Sequence, residues 1–205
     1  MNNKYFYSII LFMLLLNINV FSQTSEKGFP KLMYVTAKDG LRERAEPSTN
    51  SKINRTLIYG EFVQVFARQN TPVTINGITD YWYSTIYYLD RSDSWLFGGY
   101  LSEELPKDLP VIIGRWDVEG EGNSRRYYQF EPNNEYAEGI KETDMGFFGT
   151  WKLNGNIITI YLSRAGNIDE IEKTETIYLT IIDRNNIQLK FNGGTVNLKR
   201  NKTGW

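Results

Sequence analysis

After residue 23 the apolar positions fall in short runs with alternate-residue spacing, and no window holds the i, i+3, i+4, i+7 repeat of an amphipathic helix over three turns. β-branched and aromatic stretches are broken at short intervals by Gly, Asn and Pro, which is the pattern of strands joined by tight turns. In the first half this predicts strands at Met33–Thr36, Ile53–Ile58, Glu61–Phe66, Tyr81–Ile86 and Ser94–Leu101, with turns at Asp39-Gly40, Tyr59-Gly60 and Asn76-Gly77. In the second half it predicts eight strands in succession: Gly114–Val118, Arg125–Phe130, Glu135–Lys141, Gly146–Asn154, Asn156–Ser163, Glu175–Asp183, Ile187–Phe191 and Gly194–Lys199. Alternation is clean in Ile187-Gln188-Leu189-Lys190-Phe191 and in Thr195-Val196-Asn197-Leu198-Lys199, so one face of each is expected to be buried and the other wet. The class is all-β. Between the halves, Pro106 and Pro110 deny ladder donors and restrict the residues before them, which places a linker at 104–110 between a module at 31–103 and another at 111–200.

In the first module Gly40-Leu41-x-x-Arg44-x-x-Pro47-Ser48, Gly60-Glu61-x-Val63-x-Val65, Trp82-Tyr83 and Trp95-x-Phe97-Gly98-Gly99-Tyr100-Leu101 follow one another in an order that resembles the bacterial SH3 (SH3b) family. The resemblance implies a small SH3-like barrel that recognises cell-wall peptidoglycan or an envelope protein and performs no chemistry. A barrel of this size fills its interior with side chains, so Trp82, Trp95, Tyr100, Val63 and Val65 are expected in the core. Tyr81 and Tyr83 share the strand face opposite Trp82, and with Tyr87 and Tyr88 they are the candidate ligand-binding residues, because exposed tyrosines stack on sugar rings and peptide planes.

In the second module Gly114-x-Trp116, Tyr128-x-Phe130 and Gly149-Thr150-Trp151-x-Leu153-x-Gly155-Asn156-x-Ile158 resemble the short lipocalin-like domains of exported bacterial proteins. Eight short strands fit an up-and-down barrel or a curled meander. The resemblance implies a small apolar ligand held in the barrel mouth. Size favours the alternative of a filled sheet, since so short a barrel has little spare interior, with Trp116 and Trp151 as core plugs.

Composition narrows the chemistry. The 205 residues include no His and no Cys, which excludes Ser-His-Asp and Cys-His nucleophile pairs, imidazole or thiolate zinc sites, redox C-x-x-C motifs and disulfides. A net charge of -1 gives no footprint for nucleic acid, so no nucleic-acid partner is expected. Glu131, Glu135, Glu138, Glu142 and Asp144 are the carboxylates to test for glycosidase chemistry. They lie in or beside turns and not inside apolar runs, so they are expected on the solvated surface with ordinary acidity. Asp169-Glu170-Ile171-Glu172 lacks the alternating ligands of a calcium loop. No catalytic residue, metal or cofactor is therefore expected. At the start of the chain, Lys4 precedes the apolar run Tyr5–Leu16, which is short for a bilayer span; small Val20 and Ser22 follow, and residues 1–22 are expected to be a signal peptide cleaved after Ser22. The mature protein is expected in the periplasm or outside the cell, touching membrane only through that peptide.

Overall fold

The computed structural model describes residues 28–86, 93–120, 126–141, 143, 145–166 and 171–203. The expected signal peptide, Tyr87 and Tyr88 lie outside them. All the extended elements are strands, in keeping with the β-branched and aromatic runs.

In the first module β1 (Lys31–Val35) lies between β4 (Phe62–Val65) and β10 (Leu101–Ser102). A second sheet runs β3 (Ile53–Leu57), β2 (Leu41–Arg44), β9 (Asp93–Phe97), β8 (Trp82–Ile86), β5 (Ala67–Arg68). The Asn76-Gly77 turn closes a separate hairpin of β6 (Val73–Ile75) and β7 (Ile78–Asp80), with Asn76 at φ 52 as a tight turn demands. The two larger sheets enclose Met33, Val35, Leu41, Leu57, Val63, Val65 and Leu96. Trp82 is buried, but Trp95 is not: it sits on β9 between buried Ser94 and buried Leu96, and alternation turns it outward to a partly exposed position. Tyr100 is likewise half-buried, in a 3-10 turn (Gly98–Tyr100) where a continuous strand was expected.

The second module closes on itself as β11 (Gly114–Val118), β12 (Arg126–Phe130), β13 (Glu135–Ile140), β14 (Gly146–Asn154), β15 (Ile157–Ala165), β16 (Lys173–Ile181), β17 (Asn186–Phe191) and β18 (Gly194–Arg200), each strand antiparallel to the next and β18 to β11. This is the up-and-down barrel expected from eight successive strands. A bulge between Phe148 and Gly149 shifts the β14–β15 register, and only glycine fits at 149, because a Cβ there would lie 2.0 Å from the Tyr161 carbonyl oxygen. Trp116, Phe130, Trp151, Ile158, Ile160, Ile177, Leu189 and Leu198 fill one half of the interior.

The first module seals that filled end. Tyr34 of β1 belongs to the same core cluster as Trp116, with Phe62 packed against it. Arg200, 7% exposed, donates from Nη1 to the Tyr34 hydroxyl (2.8 Å) and the Ile113 carbonyl (2.7 Å), from Nη2 to the Val111 carbonyl (2.6 Å) and from Nε to the Arg184 carbonyl (2.8 Å). Its guanidinium also lies 4.3 Å from the Trp116 ring. Gly114 of the Gly-x-Trp pattern has φ 130, and a Cβ there would meet Arg200 Nη1 at 2.5 Å, so the glycine makes room for the guanidinium. The segment read as a linker is built into the joint. Leu105 is buried in the barrel-side cluster, Arg184 donates to the Leu105 carbonyl (2.7 Å), and Asp108 accepts from both Lys38 and Tyr59. The chain's last strand leads back to the first module, where Leu32 donates to the Lys202 carbonyl at 2.7 Å.

Candidate functional site

Opposite the sealed end, the barrel opens into a cavity of about 720 Å³. The interior was expected to be filled, and the residues at this end explain why it is not. Gly139, Gly146, Ala165, Gly166, Gly193 and Gly194 ring the mouth, and side chains this small leave the space above the tryptophan layer empty. Tyr128, Phe147, Phe191 and Val196 supply apolar wall. The Tyr128 and Phe191 rings lie 6.0 Å apart, and Met145, Phe147 and Ile140 form an exposed apolar lip.

The polar groups converge from three strands. On β13, Tyr136, Glu138 and Ile140 share the inward face; on β16, Glu175 precedes inward Ile177 and Leu179; on β12, Arg126 lies two residues before Tyr128. Tyr136 is 3% exposed, and its hydroxyl donates to Glu138 Oε2 at 2.8 Å. Burial raises the pKa of Glu138, with the Glu175 charge adding to the shift and the Tyr136 hydrogen bond, Arg126 and Lys173 opposing it. Burial pushes Tyr128 up to about 12, with Glu138 adding to the shift and Arg126 hydrogen-bonded to Tyr128 opposing it. Tyr136 is raised by burial first and then by Glu138. Lys173, two residues before Glu175 and opposite inward Leu162, shares the inward face at the mouth and pairs with Glu175 at 2.6 Å, a contact that raises the lysine's pKa.

The expectation that the carboxylates are solvated holds for Glu135 and needs correction for two others. Glu138 faces the barrel interior because β13 alternates Tyr136-x-Glu138, a signal the short run around it obscured. Glu131, just past β12, is raised from an ordinary 4.5 to about 8, chiefly by burial; its Oε1 accepts from Gln129 at 2.7 Å while Oε2 is shielded and has no donor among the described residues. It lies against the first module, whose Glu61 and Arg55 both act on it, so docking of the two halves buries it. Glu142 and Asp144, like Asp169 and Glu170, lie outside the described residues, and among the described residues no group of three or more acids is arranged to hold a metal ion.

The two described tyrosines among those singled out in the first module, Tyr81 and Tyr83, do not line the barrel cavity. Tyr81 is half-buried with the Arg68 guanidinium 4.3 Å from its ring. Tyr83 is half-buried too, packed on Phe29 (ring centroids 6.1 Å apart) and over Gly98, where a Cβ would lie 2.3 Å from its ring. Of the cavity groups, Arg126 and Glu175 were not singled out by sequence, although Glu175-x-Ile177-x-Leu179 already placed that acid on an inward face.

No family model matches the chain, and no curated protein matches it. Among solved structures, a lipocalin-like protein from Bacteroides uniformis ATCC 8492 is similar at 18% identity and a TM-score of 0.37, over 45% of this chain and 100% of that one. An uncharacterized protein from Bacteroides eggerthii DSM 20697 is similar at 14% identity and a TM-score of 0.33, over 44% of this chain and 99% of that one.

Proposed function

We propose that this chain is a non-catalytic binding protein that holds a small, largely apolar ligand in the open end of its second barrel. One observation carries the reading: a cavity of about 720 Å³, open at one end and sealed at the other by the first module, with apolar walls and a few convergent polar groups. That volume lies within the range of about 300 to 1,000 Å³ typical of small-molecule sites. Opposing carboxylates alone do not make a hydrolase here. Tyr136 already hydrogen-bonds Glu138 and Lys173 already pairs with Glu175. The test is a fluorescence titration of residues 23–205 with the neutral apolar probe N-phenyl-1-naphthylamine. Saturable enhancement is expected, and it is expected to be lost in Ala165→Trp, which puts an indole into the mouth. No enhancement, or enhancement unchanged in that variant, overturns the reading.

The first module supports a second reading, recognition of peptidoglycan or an envelope protein through its SH3b-like surface. The half-open Tyr81 ring beside Arg68 is the feature that favours it. Retention of the mature protein on purified peptidoglycan, lost in Tyr81→Ala, is the expected result; no retention overturns it. Export to the periplasm or beyond belongs to the same account and is supported by Lys4 and the apolar run behind it. N-terminal sequencing of the protein from the cell envelope or medium is expected to begin at Gln23.

A further inference from the structure

The charges of the barrel cavity are layered. Its lining holds two carboxylates, Glu138 and Glu175, with Arg126 and, at the mouth, Lys173 as the cations near them. The two acids come from β13 and β16, strands three apart in the ring, so they approach the cavity from different walls. Depth separates the signs. Glu138 is held inward by the buried Tyr136 hydroxyl, and the Glu175 side chain is 26% exposed, whereas Arg126 lies at the exposed start of β12 and the Lys173 side chain is 64% exposed. Both cations stand at the rim, where they act on Glu138 from above while engaged with other groups, Arg126 with Tyr128 and Lys173 with Glu175. A ligand descending past the apolar lip thus meets acceptor-only groups in the cavity, with the Tyr128 ring beside them. A carboxylate or phosphate head would be driven against two like charges, and a bare alkyl end would leave the acceptors unsatisfied. An ammonium is donor-only on all three hydrogens, is attracted by both carboxylates, and gains further from an aromatic face.

We propose that the ligand of this cup is an amphiphile with a protonated amine at its polar end, held between Glu138 and Glu175 with its hydrocarbon against Tyr128, Phe147 and Phe191. The inference rests on the cup being the binding site, and the experiment separates the two claims. N-phenyl-1-naphthylamine bound to residues 23–205 is displaced at pH 7 by dodecylamine, dodecanol or sodium dodecanoate, each below its micellar concentration. Dodecylamine is expected to compete at least about tenfold better than dodecanoate and clearly better than dodecanol. In Glu138→Gln/Glu175→Gln that preference is expected to fall to within about threefold, each competitor being compared at that variant's own probe affinity. Glu175→Gln alone, which spares the Tyr136 contact, is expected to lose part of the preference and serves if the double variant does not fold. Dodecanoate or dodecanol equal to or better than dodecylamine, or a preference indifferent to both variants, overturns the ammonium assignment while leaving the cup in place. A probe that never binds overturns the cup itself, and the ammonium assignment with it.

Discussion

Two side chains at the joint between the modules show how burial governs this protein's behaviour. Glu131 has a folded value near 8 against an ordinary 4.5, so the folded state binds a proton more tightly than the unfolded chain. The sign follows: its contribution is fully favourable below about pH 4.5 and is lost as pH rises through about 8. The unfolding free energy of the wild-type protein, from urea titrations, is therefore expected to decline from pH 5 to pH 9 by an amount on the order of several kcal/mol. Glu43 and Glu138, also raised by burial, add in the same direction, so the decisive quantity is the difference from Glu131→Gln. That variant is expected to show a shallower decline, and parallel curves would contradict the assignment. Arg200 is the second case. Its four hydrogen bonds go to carbonyls and one phenol, with no carboxylate among them, so truncation strands several buried acceptors. Arg200→Met is expected to cost about 3 kcal/mol or more by chemical denaturation. Lysine is expected to rescue little, since a single ammonium cannot reproduce the fork.

At the scale of elements, the strands were legible because their alternation repeats the pleat: all eight barrel strands lie where the apolar pattern put them, within about two residues. The glycines carry the bends that alternation cannot show. Gly149→Ala is expected to destabilise the barrel by more than about 2 kcal/mol, because its Cβ would press on the Tyr161 backbone. A melting temperature unchanged by that substitution would remove the bulge from the account. What the sequence concealed was the open end. Glycine and alanine at strand ends read locally as turn residues, and only ring closure shows that together they leave a space. Glu131 was hidden for a related reason, since it stands at a turn before Pro132 and the groups that act on it include Glu61 and Arg55, about seventy positions earlier. Trp95 was misplaced because aromatic character was weighed above its position in the alternation.

The whole molecule behaves as one body more than its two-module sequence suggests. Tyr34 and Phe62 of the first module complete the barrel's core, and the 104–110 segment is hydrogen-bonded and packed on both sides. A single cooperative thermal transition is accordingly expected for residues 23–205. The isolated barrel, residues 111–205, is expected to be soluble only marginally, because its base would expose Trp116's cluster. Two separate calorimetric transitions would contradict the shared core. The joint and the cup also divide the barrel: one end packs against the first module, and the other stays open, which the proposed binding role uses. Native mass spectrometry of the protein purified without organic solvent or detergent tests that proposal most directly. The account predicts a population carrying one small-molecule adduct per chain that disappears in Ala165→Trp; a bare polypeptide mass in both proteins would contradict it.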